Sequence, residues 1–214
     1  MQTNTLCIRQ AIVFVSAMVY WGGVMIHARR IRKHIGRSPN IKPAGLKENL
    51  LWLGWFFVIV GWIGQALMIS HYAESRIFCP LTSILRPSGI FLGVFIAVGG
   101  YVGTLWCYSA IGESWRMGIN KSERTTLVKD GPYCFIRHPI YIFQIMILIG
   151  MIILLPTPLS LLILLVHIIC VIIKAFDEER YLKGIYEVEY RDYFDRTGRF
   201  FPKLNSLKHF FRGN

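Results

Sequence analysis

Two stretches of this 214-residue chain gather polar and aromatic side chains at spacings that chemistry can use. The first runs Thr125-Thr126-Leu127-Val128, then the turn Lys129-Asp130-Gly131-Pro132, then Tyr133 and Arg137-His138-Pro139-Ile140-Tyr141. Lys-Asp-Gly-Pro is strong turn chemistry. Proline fits the first position of a helix, so Pro139 marks a helix start. The first turn of that helix leaves free N–H groups and a partial positive charge, a seat for a carboxylate or another electron-rich ligand atom. The second stretch is Lys174-Ala175-Phe176-Asp177-Glu178-Glu179-Arg180. Three adjacent acids at the end of an apolar run are costly unless they face water, cations or a polar pocket. Each group also has a plainer reading. An Arg-His pair at a helix start, Tyr133, Tyr141 and Trp115 fit as interfacial anchors, and the acids fit as a solvated helix end. His167, alone in an apolar run, fits either a functional group or a packing histidine.

The elements that must hold these residues are membrane helices. Apolar residues make up 54% and charged residues 17% of the chain, and the charges fall in blocks between long uncharged runs. That excludes disorder and an ordinary soluble globule. The net charge of +12 flanks apolar runs and so does not point to nucleic acid. The uncharged runs are 17 residues between Arg9 and His27, 22 between Glu48 and His71, 26 between Arg86 and Glu113, and 36 without formal charge between Arg137 and Lys174. A span needs about 20 apolar residues. The first run is read as a span and not as a signal peptide, because its basic cluster follows it. The last run would be about 54 Å long as one helix, and Pro156-Thr157-Pro158 interrupts it. It predicts a hairpin of two short helices near 139–155 and 158–174. The fold class is therefore all-α integral membrane, with about five spans. An amphipathic helix over Tyr181–Tyr193 is predicted to lie across them. Gly89, Gly93 and Ala97, and Gly99 with Gly103, have the spacing that lets helices approach closely, though glycine is common in membrane helices anyway.

Orientation follows from the basic residues. Segments 27–49, 109–137 and 174–214 hold seven, five and nine, whereas 71–87 holds two. Five spans with the N-terminus outside put all three rich segments, and any chemistry they carry, in the cytoplasm. There they can also touch anionic lipid headgroups. Cys7, Cys79, Cys107, Cys134 and Cys170 are too scattered for a zinc site or a disulfide framework and read as free, buried thiols. No metal is expected.

The string Leu127-Val128-x-x-Gly131-Pro132-Tyr133-x-x-x-Arg137-His138-Pro139-x-Tyr141, then a hairpin, Glu178-Glu179 and a terminal Thr197-Gly198-Arg199-Phe200-Phe201-Pro202, resembles the isoprenylcysteine carboxyl methyltransferase family. The resemblance extends from near Ile111 to Pro202. It divides the single membrane domain 1–214 into three N-terminal spans (1–107), a methyltransferase-like half (108–202) and a basic tail (203–214). It implies an integral membrane methyltransferase that uses S-adenosylmethionine, held at the cytoplasmic side without a Rossmann fold. By motif position the cofactor contacts are Thr125, Thr126, Leu127, Val128, Tyr133, His138, Pro139, Ile140, Tyr141 and Glu178. On the substrate side it implies Lys174, where the family has an arginine, and Arg137 faces a carboxylate. Lysine keeps the charge but loses the planar fork that grips a carboxylate at two points. A second departure is Phe143, where many members have glycine. The implied partners are membrane lipids and a small or lipophilic methyl acceptor, with a carboxylate, thiol or lipid amine as the acceptor group. Two rival readings remain. One is an NADPH-dependent reductase of related architecture, against which the short chain counts. The other is a non-catalytic lipid-binding or accessory protein.

Overall fold

The computed structural model describes residues 2–36, 43, 45–72, 74–81, 87–115 and 127–203. Thr125, Thr126 and the tail beyond Lys203 lie outside them. The described chain forms five helices: α1 Gln2–Ile35, α2 Leu46–Met68, α3 Ser88–Ile111, α4 Pro139–Leu154 and α5 Pro158–Arg196. Short 3-10 turns occupy Gly112–Ser114 and Gly131–Cys134. Helices α1, α2, α3 and α5 are long and apolar enough to cross a membrane. With 16 residues, about 24 Å, α4 is the shorter apolar helix of the hairpin. This is the all-α membrane architecture that the run lengths predict.

The tightest packing is between α3 and α4. A Cβ placed on Gly93 would lie 2.8 Å from the carbonyl oxygen of Gly150, and one on Gly150 would lie 2.6 Å from that of Gly93. A Cβ on Gly100 would lie 2.7 Å from the carbonyl oxygen of Phe143. The contact stripe is thus Gly93, Ala97 and Gly100, all buried, facing Gly150. Gly99, part of the spacing noted in the sequence, would meet just the tip of Met146 at 3.7 Å. The ring of Phe143 fills the space above Gly103.

The hairpin between α4 and α5 is closed by polar groups. Thr157 Oγ1 accepts from the Ser160 amide and Ser160 Oγ from the Thr157 amide, each at 3.0 Å, which caps α5. The Leu81 amide donates to Pro156 and the Leu159 amide to Ile77, tying the hairpin to the α2–α3 connection. Arg9 does not bound the first span, as the charge pattern suggested, but lies within α1. Its guanidinium is 1% exposed and Nη1 donates to the carbonyl oxygens of Ile153 (3.2 Å) and Leu154 (2.9 Å). These are carbonyls of the last turn of α4, which has no following turn to satisfy them, and a cation is the favourable partner there.

At the other end, α5 runs on past the apolar run to Arg196. The predicted amphipathic segment is therefore a continuation of α5. It is redirected at Glu187, whose φ of 36° and ψ of −101° interrupt the helix. Tyr186, Tyr190 and Tyr193 then form a small buried cluster against Leu127, Leu182, Ile185 and Phe194. All five cysteines are free. Cys107 and Cys170 are buried and Cys134 is half-buried, but Cys7, near the start of α1, and Cys79, in the connection between α2 and α3, are exposed rather than buried as expected.

Candidate functional site

Helices α4 and α5 diverge from the hairpin, and at the far end their first and last polar residues meet. The three adjacent acids of α5 point three ways, as the helical turn of about 100° per residue requires. Asp177 pairs with Lys47 of α2 at 2.6 Å near the surface. Glu178 turns to α4, where its Oε1 accepts from the Tyr141 hydroxyl at 3.0 Å. Glu179 turns into the protein, where it is 3% exposed.

Glu179 is the centre of a buried ionic knot. Its Oε1 accepts from Arg137 Nε at 2.9 Å and from Arg199 Nε at 3.0 Å, and its Oε2 from Arg199 Nη2 at 2.7 Å. Arg137 Nη1 also donates to the carbonyls of Phe194 and Thr197, and the guanidinium stacks 4.1 Å from the centre of the Phe194 ring. Arg199 lies 3.7 Å over Phe176. Burial would push the Glu179 carboxyl up, but His138, Arg199 and Arg137 hold it well below the usual carboxylate range. The backbone reinforces the knot: the amides of Arg137 and His138 donate to the carbonyls of Gly198 and Arg199 at 2.8 and 3.1 Å. Thr197-Gly198-Arg199 therefore clamps Arg137-His138-Pro139 like a strand. Gly198 has no room for a side chain, because a Cβ would collide with the Phe201 carbonyl.

His138 stands between the knot and an open space. Nδ1 is 3.5 Å from Glu178 Oε2, and Nε2 is 3.4 Å from Glu179 Oε1. Its ring stacks with Tyr141 at 5.6 Å. Burial would lower its pKa, but hydrogen bonding and charge from both glutamates outweigh that and raise it. Gly131, at φ +59°, makes the turn that the Lys-Asp-Gly-Pro sequence predicts. The turn buries Tyr133, and its backbone carbonyl accepts from the Tyr193 hydroxyl at 2.9 Å.

The open space is a cavity of about 410 Å³. Of the residues the sequence singled out, Leu127, Val128, Tyr133, Arg137, His138, Ile140, Tyr141, Lys174 and Glu178 line it. Pro139 is buried at the helix start and is not in the lining. The part of Arg137 that the sequence reading aimed at a ligand carboxylate is engaged by Glu179 and the α5 end. Lys174 is different. It is 6% exposed and lines the cavity, and among the described residues its ammonium has no hydrogen-bond or carboxylate partner. Glu178 is less enclosed, with 29% of its side chain exposed.

The first two helices supply much of the wall, which no motif in them announced. Tyr20 and Trp21 of α1, and Trp52, Trp55, Phe56 and Trp62 of α2, line the cavity. Trp52 and Phe56 are also exposed on the outer surface of the bundle, so this side of the cavity opens along α2. The one available signal was the density of aromatic residues in these spans, which in a membrane helix reads equally well as an interfacial belt. His167 lines the deep part of the cavity, 6% exposed. Among the described residues neither of its ring nitrogens has a hydrogen-bond partner. No group of three His, Cys, Asp or Glu lies close enough to hold a metal ion among the described residues.

The wall has the chemistry of a receptor for a flat molecule that carries both charges: a carboxylate (Glu178), an ammonium (Lys174), aromatic faces and the N-terminal turn of α4. Its volume lies within the range of small-molecule sites, roughly 300–1,000 Å³. Residues 88–189 match the phospholipid methyltransferase family. The matched span contains α3, the 127–141 string and the Glu178-Glu179 pair. The chain is also 28% identical over 183 residues to the cobalt-zinc-cadmium resistance protein CzcN of Cupriavidus metallidurans, covering 78% of this chain and 74% of that protein.

Proposed function

We propose, from the match of residues 88–189 to the phospholipid methyltransferase family, that this protein is an integral membrane methyltransferase that moves a methyl group from S-adenosylmethionine to a small or lipophilic acceptor. The observation that carries this reading is the convergence of the 127–141 and 174–178 stretches on one cavity, joined by the Tyr141–Glu178 hydrogen bond. The residues there fit the cofactor. Glu178 suits its amino or hydroxyl groups, and Tyr133 and Tyr141 suit adenine or the sulfonium, whose positive charge favours aromatic faces. Lys174 suits an anionic group, on the substrate side of the site. Thr125 and Thr126 precede Leu127 and belong to the same contact set by motif position. The bound cofactor supplies an activated methyl group on a sulfonium. The chain's own residues orient the donor and the acceptor and exclude water, a contribution worth about 7–11 kcal/mol when reacting atoms are well aligned.

In this reading Arg137, Glu179, Arg199 and His138 hold the pocket's shape. Arg137 acts through the clamp on the α5 end and so positions His138 and Tyr141. The opening beside Trp52 and Phe56 suits an acceptor that arrives sideways from the bilayer. The described parts of the basic-rich segments all lie at the cavity end of the bundle, which supports an outside N-terminus, a cytoplasmic site and a cytoplasmic C-terminus.

The test is calorimetric titration of the purified, detergent-solubilised protein with S-adenosylhomocysteine and with NADPH, followed by a labelled-methyl assay over thiols, fatty acids, prenylcysteine analogues and aminolipids. The expected result is saturable binding of the first ligand and none of the second. Replacing Glu178 by Gln should weaken that binding by about 10–100-fold, the value of a hydrogen bond to a charged group. NADPH binding would favour a reductase, and binding of neither would favour a non-catalytic lipid-binding protein.

A further inference from the structure

His167 lines the cavity but has no role in the reading above. It sits on α5 seven residues before Lys174 and eleven before Glu178, so all three lie on nearly the same helix face. At about 1.5 Å per residue His167 is roughly 10 Å deeper than Lys174 and roughly 16 Å deeper than Glu178. The same cavity is lined by many apolar and aromatic residues, among them Tyr20, Trp62, Ile147 and Leu148. Of the other polar side chains of the helices that wall the cavity, Gln144 and Gln65 are engaged, whereas the indole N–H of Trp62, like His167, has no hydrogen-bond partner among the described residues. Gln144 Nε2 donates to the Tyr20 hydroxyl at 2.7 Å, and Gln65 Oε1 accepts from Thr157. An imidazole buried among apolar groups is costly to leave without a hydrogen bond, and neither nitrogen of His167 has one among the described residues. A neutral imidazole offers one donor and one acceptor.

We propose that His167 is the specificity-determining contact for the methyl acceptor. It hydrogen-bonds an uncharged hydroxyl or thiol carried on the acceptor's apolar body, which enters past Trp52 and Phe56, while the reacting atom of the acceptor lies nearer the mouth, beside Tyr133 and Tyr141. This rests on the methyltransferase reading and narrows it: the group that His167 meets lies deep in the cavity, where an ionised carboxylate would be poorly solvated, while Lys174, a cation with no partner among the described residues, is about two turns away.

Five tryptophans line the cavity (Trp21, Trp52, Trp55, Trp62 and Trp115), so their fluorescence reports occupancy without turnover. The full-length protein in detergent is titrated with 1-decanethiol, 1-decanol, sodium decanoate and decane, as wild type and as His167→Phe and His167→Gln. The expected result is that the wild type binds decanethiol or decanol about five- to tenfold more tightly than decane, the value of one net hydrogen bond. His167→Phe should erase that preference, and His167→Gln, which keeps a donor and an acceptor, should retain most of it. Decanoate should show no advantage over decane that depends on residue 167. A preference that survives His167→Phe, or no preference in the wild type, overturns the proposal. S-adenosylhomocysteine binding is measured alongside and should be unchanged in both variants. Its absence in the wild type would remove the methyltransferase reading itself, whereas its presence with no role for residue 167 would remove this inference alone.

Discussion

The two ends of α4 solve the same problem in opposite ways. Each brings buried charge to the end of a short helix. At the hairpin end, Arg9 is matched by the carbonyls of Ile153 and Leu154, and the cap of α5 is closed by Thr157 and Ser160. At the other end, Arg137, Glu179 and Arg199 satisfy one another, but Lys174 and Glu178 face a cavity. Polar groups that find partners within the chain build structure. Those left facing a hollow point to a ligand. The two kinds stand side by side in the sequence as Glu178 and Glu179, and one step of helical rotation separates their fates.

The contrast can be broken most strongly at Glu179. Replacing it with Ala leaves Arg137 buried without its counter-ion, and the loss of a partner from such a pair costs about 3–5 kcal/mol. A large drop in melting temperature in detergent is expected, with ligand binding lost as a consequence of misfolding. Arg9→Met attacks the opposite end. It should cost about 2–3 kcal/mol, the value of a charged hydrogen bond to otherwise unpaired carbonyls. Affinity for S-adenosylhomocysteine should stay unchanged when measured well below the melting point. Lys174→Met should do the reverse. It removes a buried cation that lacks a partner among the described residues, so stability should rise by about 1 kcal/mol or hold, while affinity for an anionic ligand falls about tenfold.

The smallest effect is on pH dependence. Glu178 and Glu179 raise the pKa of His138 above its ordinary 6.5, so its stabilising contribution is complete below that value and fades as pH rises through the raised pKa. Melting temperature should therefore decline as pH rises above 6.5, and His138→Gln should flatten that decline. The Glu179 contribution runs the other way. Its depressed pKa keeps the contribution complete above the ordinary 4.5 and removes it only in strong acid. A wild-type curve with no decline above 6.5 that depends on residue 138 would show that His138 is not charged in the fold.

Chain length, the uncharged runs, the proline-broken hairpin and the 127–141 and 178–179 strings were all legible in the sequence, because lipid forces apolar runs of fixed length and motif chemistry is local. The start of α1 was not, since a buried arginine looks like a span boundary until its carbonyl partners, about 145 residues away, are visible. Nor was the part played by Arg137: its neighbours in sequence gave no sign that Thr197 and Glu179 would claim its guanidinium.

What the sequence by itself determined is therefore the class of molecule, a bundle of apolar helices with its chemistry at one end, because hydropathy and charge blocks act on each segment independently. The tertiary structure decided which acid became a strut and which faces the cavity. It also decided that tryptophans of α1 and α2 wall the cavity, and that His167 has no hydrogen-bond partner among the described residues. Those outcomes depend on which faces of distant helices meet, and helix phase and approach are set by long-range packing such as the Gly93–Gly150 contact, which no local pattern encodes.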